Sequence, residues 1–201
     1  MSMMKSAVCT LFALLVLCGT AFAADTVSAD KTSADKVSAD KSPANANKIS
    51  IALSAGAFFP VSSTTRDKYD DCWTRVSLKT FEAEKPKEWR FIAEGGSFSL
   101  SGPSSAKLYP LTFGIEKGLT ESRNLQPYLT FRAGPYYGKV TEDATGLDED
   151  HIGLNANASL GVTIKKKFYV EVRYDYFSKF AGTDFDGISL STGMRLFDIK
   201  L

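Results

Sequence analysis

His151 is the only histidine of the chain, so a metal site built from several histidines is excluded and any serine nucleophile would have to use this one imidazole as its base. It follows Asp148, Glu149 and Asp150 and precedes Ile152 and Gly153. Together with Asp143, these acids offer the oxygen ligands that a divalent cation takes, but their spacing lacks the EF-hand pattern. No helix follows the glycines, so none of them opens a phosphate-cradling loop. The reading is that catalytic residues, metal ligands and cofactor sites are absent. What remains is a set of charges near the middles of otherwise apolar stretches: Arg90, Glu94, Glu116, Arg132, Glu171, Arg173, Asp175 and Arg195. Such a set either guides ions through a lumen or neutralises itself inside one.

The stretch from Ser159 to Phe180, SLGVTIKKKFYVEVRYDYFSKF, shows what must position those charges. In its second run Phe168, Val170, Val172, Tyr174 and Tyr176 share one face, and Tyr169, Glu171, Arg173 and Asp175 share the other. The first run alternates in the same way, and Lys165, Lys166 and Lys167 make the turn between them. A strand of about 9–11 residues tilted near 45° crosses a bilayer's hydrocarbon layer, and these runs have that length. The pattern recurs along the chain over residues 49–59, 73–83, 89–100, 107–117, 125–140 and 152–164, again over the run just described, and over 188–196. Pro110, Pro127 and Pro135 interrupt the expected ladders, since proline donates no amide hydrogen bond.

The chain opens with Lys5, an apolar run from Ala7 to Cys18 and the small-x-small sequence Ala21-Phe22-Ala23. Residues 1–23 therefore read as a secretory signal, too short to span as a helix. Residues 24–48 carry Val27 to Lys31, Thr32 to Lys36 and Val37 to Lys41, three copies of a five-residue unit ending in Ser-Ala-Asp-Lys. A period of five keeps no apolar face on a helix or a strand, so a disordered periplasmic tether is expected, with a reach of about 25–30 Å by coil scaling. The remainder, 49–201, is the barrel domain. Cys9 and Cys18 fall within the signal, so the processed chain would keep Cys72 with no internal disulfide. The 24 Lys and Arg against 23 Asp and Glu leave no field that would draw nucleic acid.

Eight alternating strands suit two kinds of barrel, and the polar row chooses between them. It consists of Gly, Ser, Thr and Asn with the central charges, which fits a narrow lumen filled by small side chains and compensating ions better than a solvated surface. The fold expected is thus an all-β, eight-stranded, antiparallel up-and-down transmembrane barrel, with its apolar row in outer-membrane lipid. A secreted soluble lipid-binding barrel is the alternative. Phe58, Phe59, Trp73, Phe81, Trp89, Tyr128, Tyr136, Tyr137, Phe168, Tyr169, Phe177 and Phe180 gather toward strand ends and are expected to form the interfacial girdle. Short turns at 84–88, 118–124 and 165–167 face the periplasm; the longer loops 61–72 and 141–151 face outward.

The runs from Ile49 to Leu196 resemble the small eight-stranded outer-membrane β-barrel proteins, a family that includes opacity-type surface antigens and OmpA-type transmembrane domains. The resemblance rests on four stretches: Gln126 to Gly134 (QPYLTFRAG), Leu160 to Thr163 (LGVT), Val170 to Tyr176 (VEVRYDY) and the closing Gly193 to Leu196 (GMRL). It implies a cell outer-membrane location and a structural or surface-recognition role carried by the loops. Possible partners are then outer-membrane lipids and envelope or host surface molecules. A narrow channel for small or hydrophobic solutes is the alternative role. Some barrels of this size modify lipid A, but the His-x-Ser pairing is absent at His151, so no enzyme is expected. The family closes its last strand with an aromatic residue; here Leu196 takes that place, and Phe197 follows out of phase.

Overall fold

The computed structural model describes residues 48–82, 88–100, 104–120, 124–142 and 145–200. The segments expected to be a signal and a tether fall almost wholly outside them. Eight strands close into one antiparallel barrel in chain order: β1 (Lys48–Pro60), β2 (Trp73–Glu82), β3 (Trp89–Leu100), β4 (Ser104–Gly118), β5 (Leu125–Glu142), β6 (Leu147–Ile164), β7 (Phe168–Phe177) and β8 (Gly187–Lys200). β8 pairs back onto β1 from Lys48–Lys200 to Pro60–Gly187. The one helix among the described residues, α1 (Ser63–Lys68), lies between β1 and β2, and its cap Ser62 accepts the Thr65 amide at 3.4 Å. No described helix is long and apolar enough to cross a membrane. Closure matters because an open sheet would leave unpaired backbone groups at both edges, and lipid offers them no partner.

The alternation in the sequence becomes an inversion of inside and outside. Leu53, Leu78, Phe91, Phe113, Phe131, Leu160, Val172 and Ile188 all face outward and exposed, while the facing positions of the same strands are buried in the lumen. A soluble barrel needs the opposite polarity, so the parity rules out the soluble alternative. On β4 the outward apolar row from Tyr109 to Ile115 is bracketed by Lys107 and Lys117, the span expected of a strand crossing a lipid layer.

Several expectations are corrected. Of the aromatics assigned to the girdle, Phe58, Trp73, Tyr128, Tyr136, Tyr169, Phe177 and Phe180 point inward and are buried. Phe59, Trp89, Tyr137 and Phe168 face out, and the Phe81 side chain lies outside the described residues. Nearness to a strand end sets a residue's height along the barrel, whereas parity sets its face. Of the expected loop 141–151, residues 141–142 and 147–151 are strand. β5 runs on to Glu142 and β6 starts at Leu147, paired residue by residue from Glu142–Leu147 down. Gly95 and Gly96 pair in regular register with Leu78 and Ser77. A register shift lies between β1 and β8, where Ile51 pairs with Phe197 but Ala52 pairs with Arg195. Leu196 is the extra residue of that bulge, which resets the phase so that Phe197 and Ile199 continue the outward apolar row. The three prolines are accommodated within paired strands, opposite Tyr136, Val162 and Leu154. Cys72 is disulfide-bonded; the other two cysteines, Cys9 and Cys18, fall in the expected signal, outside the described residues, so the expectation for the processed chain stands apart from that bond.

Candidate functional site: a sealed lumen and its outer end

The charges converge at mid-lumen, with Glu94 of β3 at the hub. Arg75 of β2 donates to it at 2.5 Å, Arg173 of β7 at 2.8 Å, and Arg132 of β5 holds its second oxygen. Glu171 receives Lys79 at 2.9 Å, Arg132 at 3.2 Å and the Tyr128 hydroxyl at 3.1 Å. Asp175 receives Arg173 Nε at 2.9 Å and the Ser189 hydroxyl at 3.1 Å. Glu116 lies 3.5 Å from Lys79 and accepts from Arg90 at 2.7 Å. Glu94, Glu116, Arg132, Glu171, Arg173 and Asp175 thus form one layer, with half-buried Arg90 at its lower edge. Arg195 stands nearer the end with the lysine turn, where its electrostatic neighbours are Asp198, Arg90 and Glu116.

Arg75 and Lys79 belong to this layer, and the sequence reading did not include them among its site residues. Alternation in β2 puts both on the polar row beside Ser77, which was the available signal. With them, the fully buried set holds Arg75, Lys79, Arg132 and Arg173 against Glu94, Glu116, Glu171 and Asp175, a neutral group. Neutrality matters because an uncompensated charge buried in low dielectric costs several kcal/mol (~3–5 when one partner of a buried pair is removed). Lys79 is also sandwiched between the rings of Tyr128 and Tyr169, 4.6 and 4.8 Å from their centroids. Both rings lie over glycines on the neighbouring strand. A Cβ on Gly161 would stand 2.3 Å from Tyr128 Cζ, and one on Gly193 would stand 2.4 Å from Tyr169 Cζ. The small residues of the polar row are therefore the seats that let large rings fill the lumen.

Above the charges the lumen is closed a second time by apolar rings. Phe58, Trp73, Phe98, Tyr136 and Phe177 project from five strands and meet edge to face, as in Phe58–Phe98 at 5.0 Å and Tyr136–Phe177 at 5.1 Å. The segment 178–186 folds into the barrel mouth and adds Phe180 and Phe185, stacked at 4.8 Å, and Tyr69 arrives from the end of α1. Backbone bonds tie the two connections together: the Val61 amide donates to Asp186 O at 2.9 Å, and the Thr65 hydroxyl donates to Asp184 O. Tyr136 Oη donates to Ser178 O at 2.5 Å. Asp186 accepts the Phe177 amide at 2.9 Å and the Tyr174 hydroxyl at 3.2 Å, while partial burial pushes its carboxyl above the ordinary aspartate range. Beyond placing Phe180 in the girdle, the sequence reading assigned this segment no role.

The β5–β6 hairpin stands beyond this lid. β7 stops at Phe177, opposite Asn155, so the β6 residues from Leu154 back to Leu147 have β5 on one side and no strand on the other. Ser178 closes the first step: its amide donates to Leu154 O at 2.8 Å, and its hydroxyl accepts the Leu154 amide at 2.9 Å. Ile152 and Leu154 are 76% and 67% exposed, the highest values among the large apolar residues. His151 lies in this strand with its ring stacked on Phe180 at 5.2 Å. Asp148 and Asp150 lie 3.0 and 3.9 Å from Lys139 across the hairpin, and at its tip end Glu142 pairs with Lys68 of α1 at 3.2 Å.

No family model matches the sequence, and no curated protein matches it either. Solved structures do match in shape. Neisserial surface protein A (NspA) superposes with a TM-score of 0.58 at 16% identity, over 77% of this chain and 97% of that one. Ail, the attachment invasion locus protein of Yersinia pestis, superposes with a TM-score of 0.51 at 18% identity, over 75% of this chain and 99% of that one. At such identities the likeness is one of fold, and the inverted polarity of the two barrel faces adds the physical reason for it. The chain is a small eight-stranded β-barrel of the outer-membrane kind, with its wall in lipid and its lumen filled.

Proposed function

We propose that the barrel is a non-enzymatic, closed scaffold in the outer membrane and that its work is surface recognition at the extracellular end. The recognition region is loop 61–72 with α1, together with the hairpin around residues 141–151, offered to a host surface molecule or another envelope protein. The carrying observation is the overhang of β5 and β6 beyond β7, which presents backbone, acids and Ile152 outside a barrel whose interior is filled twice over. Side chains fill an eight-stranded interior and leave solutes little room, whereas rigid frames commonly carry their function on the segments that leave them. The name of Ail, an attachment protein of the same fold, supports this reading. The test trims loop 61–72 and the hairpin above the Tyr137–Ile152 pair, and checks insertion by heat-modifiable mobility. Loss of adhesion or partner recovery with normal insertion is expected. Unchanged adhesion and partner recovery would retire recognition and leave a structural role.

A further inference from the structure

The free edge of β6 has the chemistry to choose a partner. Ser178 uses both backbone groups of Leu154 on the β7 side, so by the two-residue period of a strand the amides and carbonyls of Ile152, Asp150 and Asp148 point the same way. Among the described residues none of these three has a backbone partner on that side. Unpaired strand edges are templates for another strand, and exposed ones are normally shielded. This one is left open, with a regular ladder behind it to Lys139, Val140 and Thr141 of β5.

We propose that this edge binds an extended cationic segment of another protein by strand addition, with basic residues at alternate positions followed by an apolar one. The inference rests on the recognition reading and names its partner class. Charge complementarity selects the occupant. Asp148 and Asp150 stand on the outward face of the edge with Ile152 beyond them, and Glu149 stands on the other face. Among the described residues Lys139 is the one cation paired with these acids, so a cross-strand neighbour carrying Lys or Arg opposite Asp148 and Asp150 meets an excess of negative charge. Strand addition supplies affinity through the main chain and leaves specificity to such alternate side chains. A second copy of this chain fits less well, since two-fold pairing about Asp150 sets that carboxylate against itself.

The experiment uses the full barrel refolded in phosphatidylcholine vesicles and three fluorescent hexapeptides: alternating Lys-Val, alternating Glu-Val, and the Lys-Val peptide N-methylated at alternate residues. The Lys-Val peptide is expected to bind and to slow hydrogen exchange at the Asp148, Asp150 and Ile152 amides. The acidic and N-methylated peptides should bind at least tenfold more weakly. In the variant Asp150→Pro the edge loses one donor while the β5–β6 ladder keeps its own bonds, and binding of the Lys-Val peptide should fall at least tenfold with insertion unchanged. Equal binding of all three peptides, or binding without protection of those amides, overturns the proposal. Self-association through this edge in place of peptide binding overturns it too. If Asp150→Pro leaves adhesion intact while hairpin trimming abolishes it, the strand-addition proposal fails and surface recognition stands.

Discussion

Replacing Glu94 by glutamine keeps the shape of the hub and removes its charge. Arg75, Arg132 and Arg173 then surround a neutral amide, and the buried set becomes four cations against Glu116, Glu171 and Asp175. Removing one partner from a buried ion pair costs about 3–5 kcal/mol, because the remaining charge stays desolvated. Here the vacated anion served three guanidiniums; Arg173 keeps Asp175 and Arg132 keeps Glu171, whereas Arg75 loses the carboxylate it is paired with. A loss of about 3–5 kcal/mol in unfolding free energy is therefore expected for Glu94→Gln. It is read from urea unfolding in lipid vesicles by tryptophan fluorescence, with Trp73 inside the barrel and Trp89 on its outer face as the two reporters. Adding Arg75→Met leaves Lys79, Arg132 and Arg173 against Glu116, Glu171 and Asp175, again a neutral set, and should recover much of the loss. A loss under about 1 kcal/mol, the range of solvated ion pairs, would show that the network is hydrated and refute the sealed-lumen reasoning.

Leu160→Arg or Val172→Arg, both on the outward row, should cost about 2–4 kcal/mol in the same assay if they lie near the bilayer midplane. Gly161→Ala should cost about 1–3 kcal/mol by overpacking against Tyr128, and the double variant with Tyr128→Leu should cost less than the two single changes added together. Planar-bilayer recordings of the folded barrel should show no stable conductance of water-filled size, and a steady conductance would revive the channel alternative. Asp186 gives a pH dependence. Its folded-state pKa is raised, so its contribution to closing segment 178–186 is fully present below the ordinary aspartate pKa and is lost as pH rises through the raised value. Asp184 has the opposite sign, since the upward push of burial is outweighed by Lys179 and the Asp186 amide. Hydrogen exchange of 178–186 is therefore compared between the native chain and Asp186→Asn, and the native segment should lose protection relative to the variant as pH rises.

The wall of the barrel was legible in the sequence because a period of two translates directly into a face. Ile152 to Ile164 and Phe168 to Tyr176 show this most cleanly, with every second residue outward and the others turned to the lumen. Parity also held the information for Arg75 and Lys79, but a lysine beside serine in a short run reads equally well as solvated surface, and only closure of the sheet brings Lys79 against Glu171. The inward rings were misassigned for a related reason. Tyr128, Tyr136 and Tyr169 lie on the polar row by count, and their aromatic character drew them to the interface; the glycines at 161, 153 and 193 that make room for them lie on other strands. The lid was least legible. Phe180 and Phe185 have no period, and their burial depends on a contact between segment 178–186 and the α1 connection that lies far away in the chain.

The central claim is that lipid touches the apolar row while the charged row is sealed inside, and site-directed labelling in membranes tests it most directly. Leu160→Cys and Val172→Cys place thiols on neighbouring outward positions of β6 and β7, and Ser191→Cys places one on the buried row of β8. With the native chain labelled in parallel as the baseline, positions 160 and 172 should react with lipid-phase probes and resist water-phase reagents, and position 191 should resist both. Reaction of 160 and 172 with water-phase reagents alone, in intact membranes, would contradict the account.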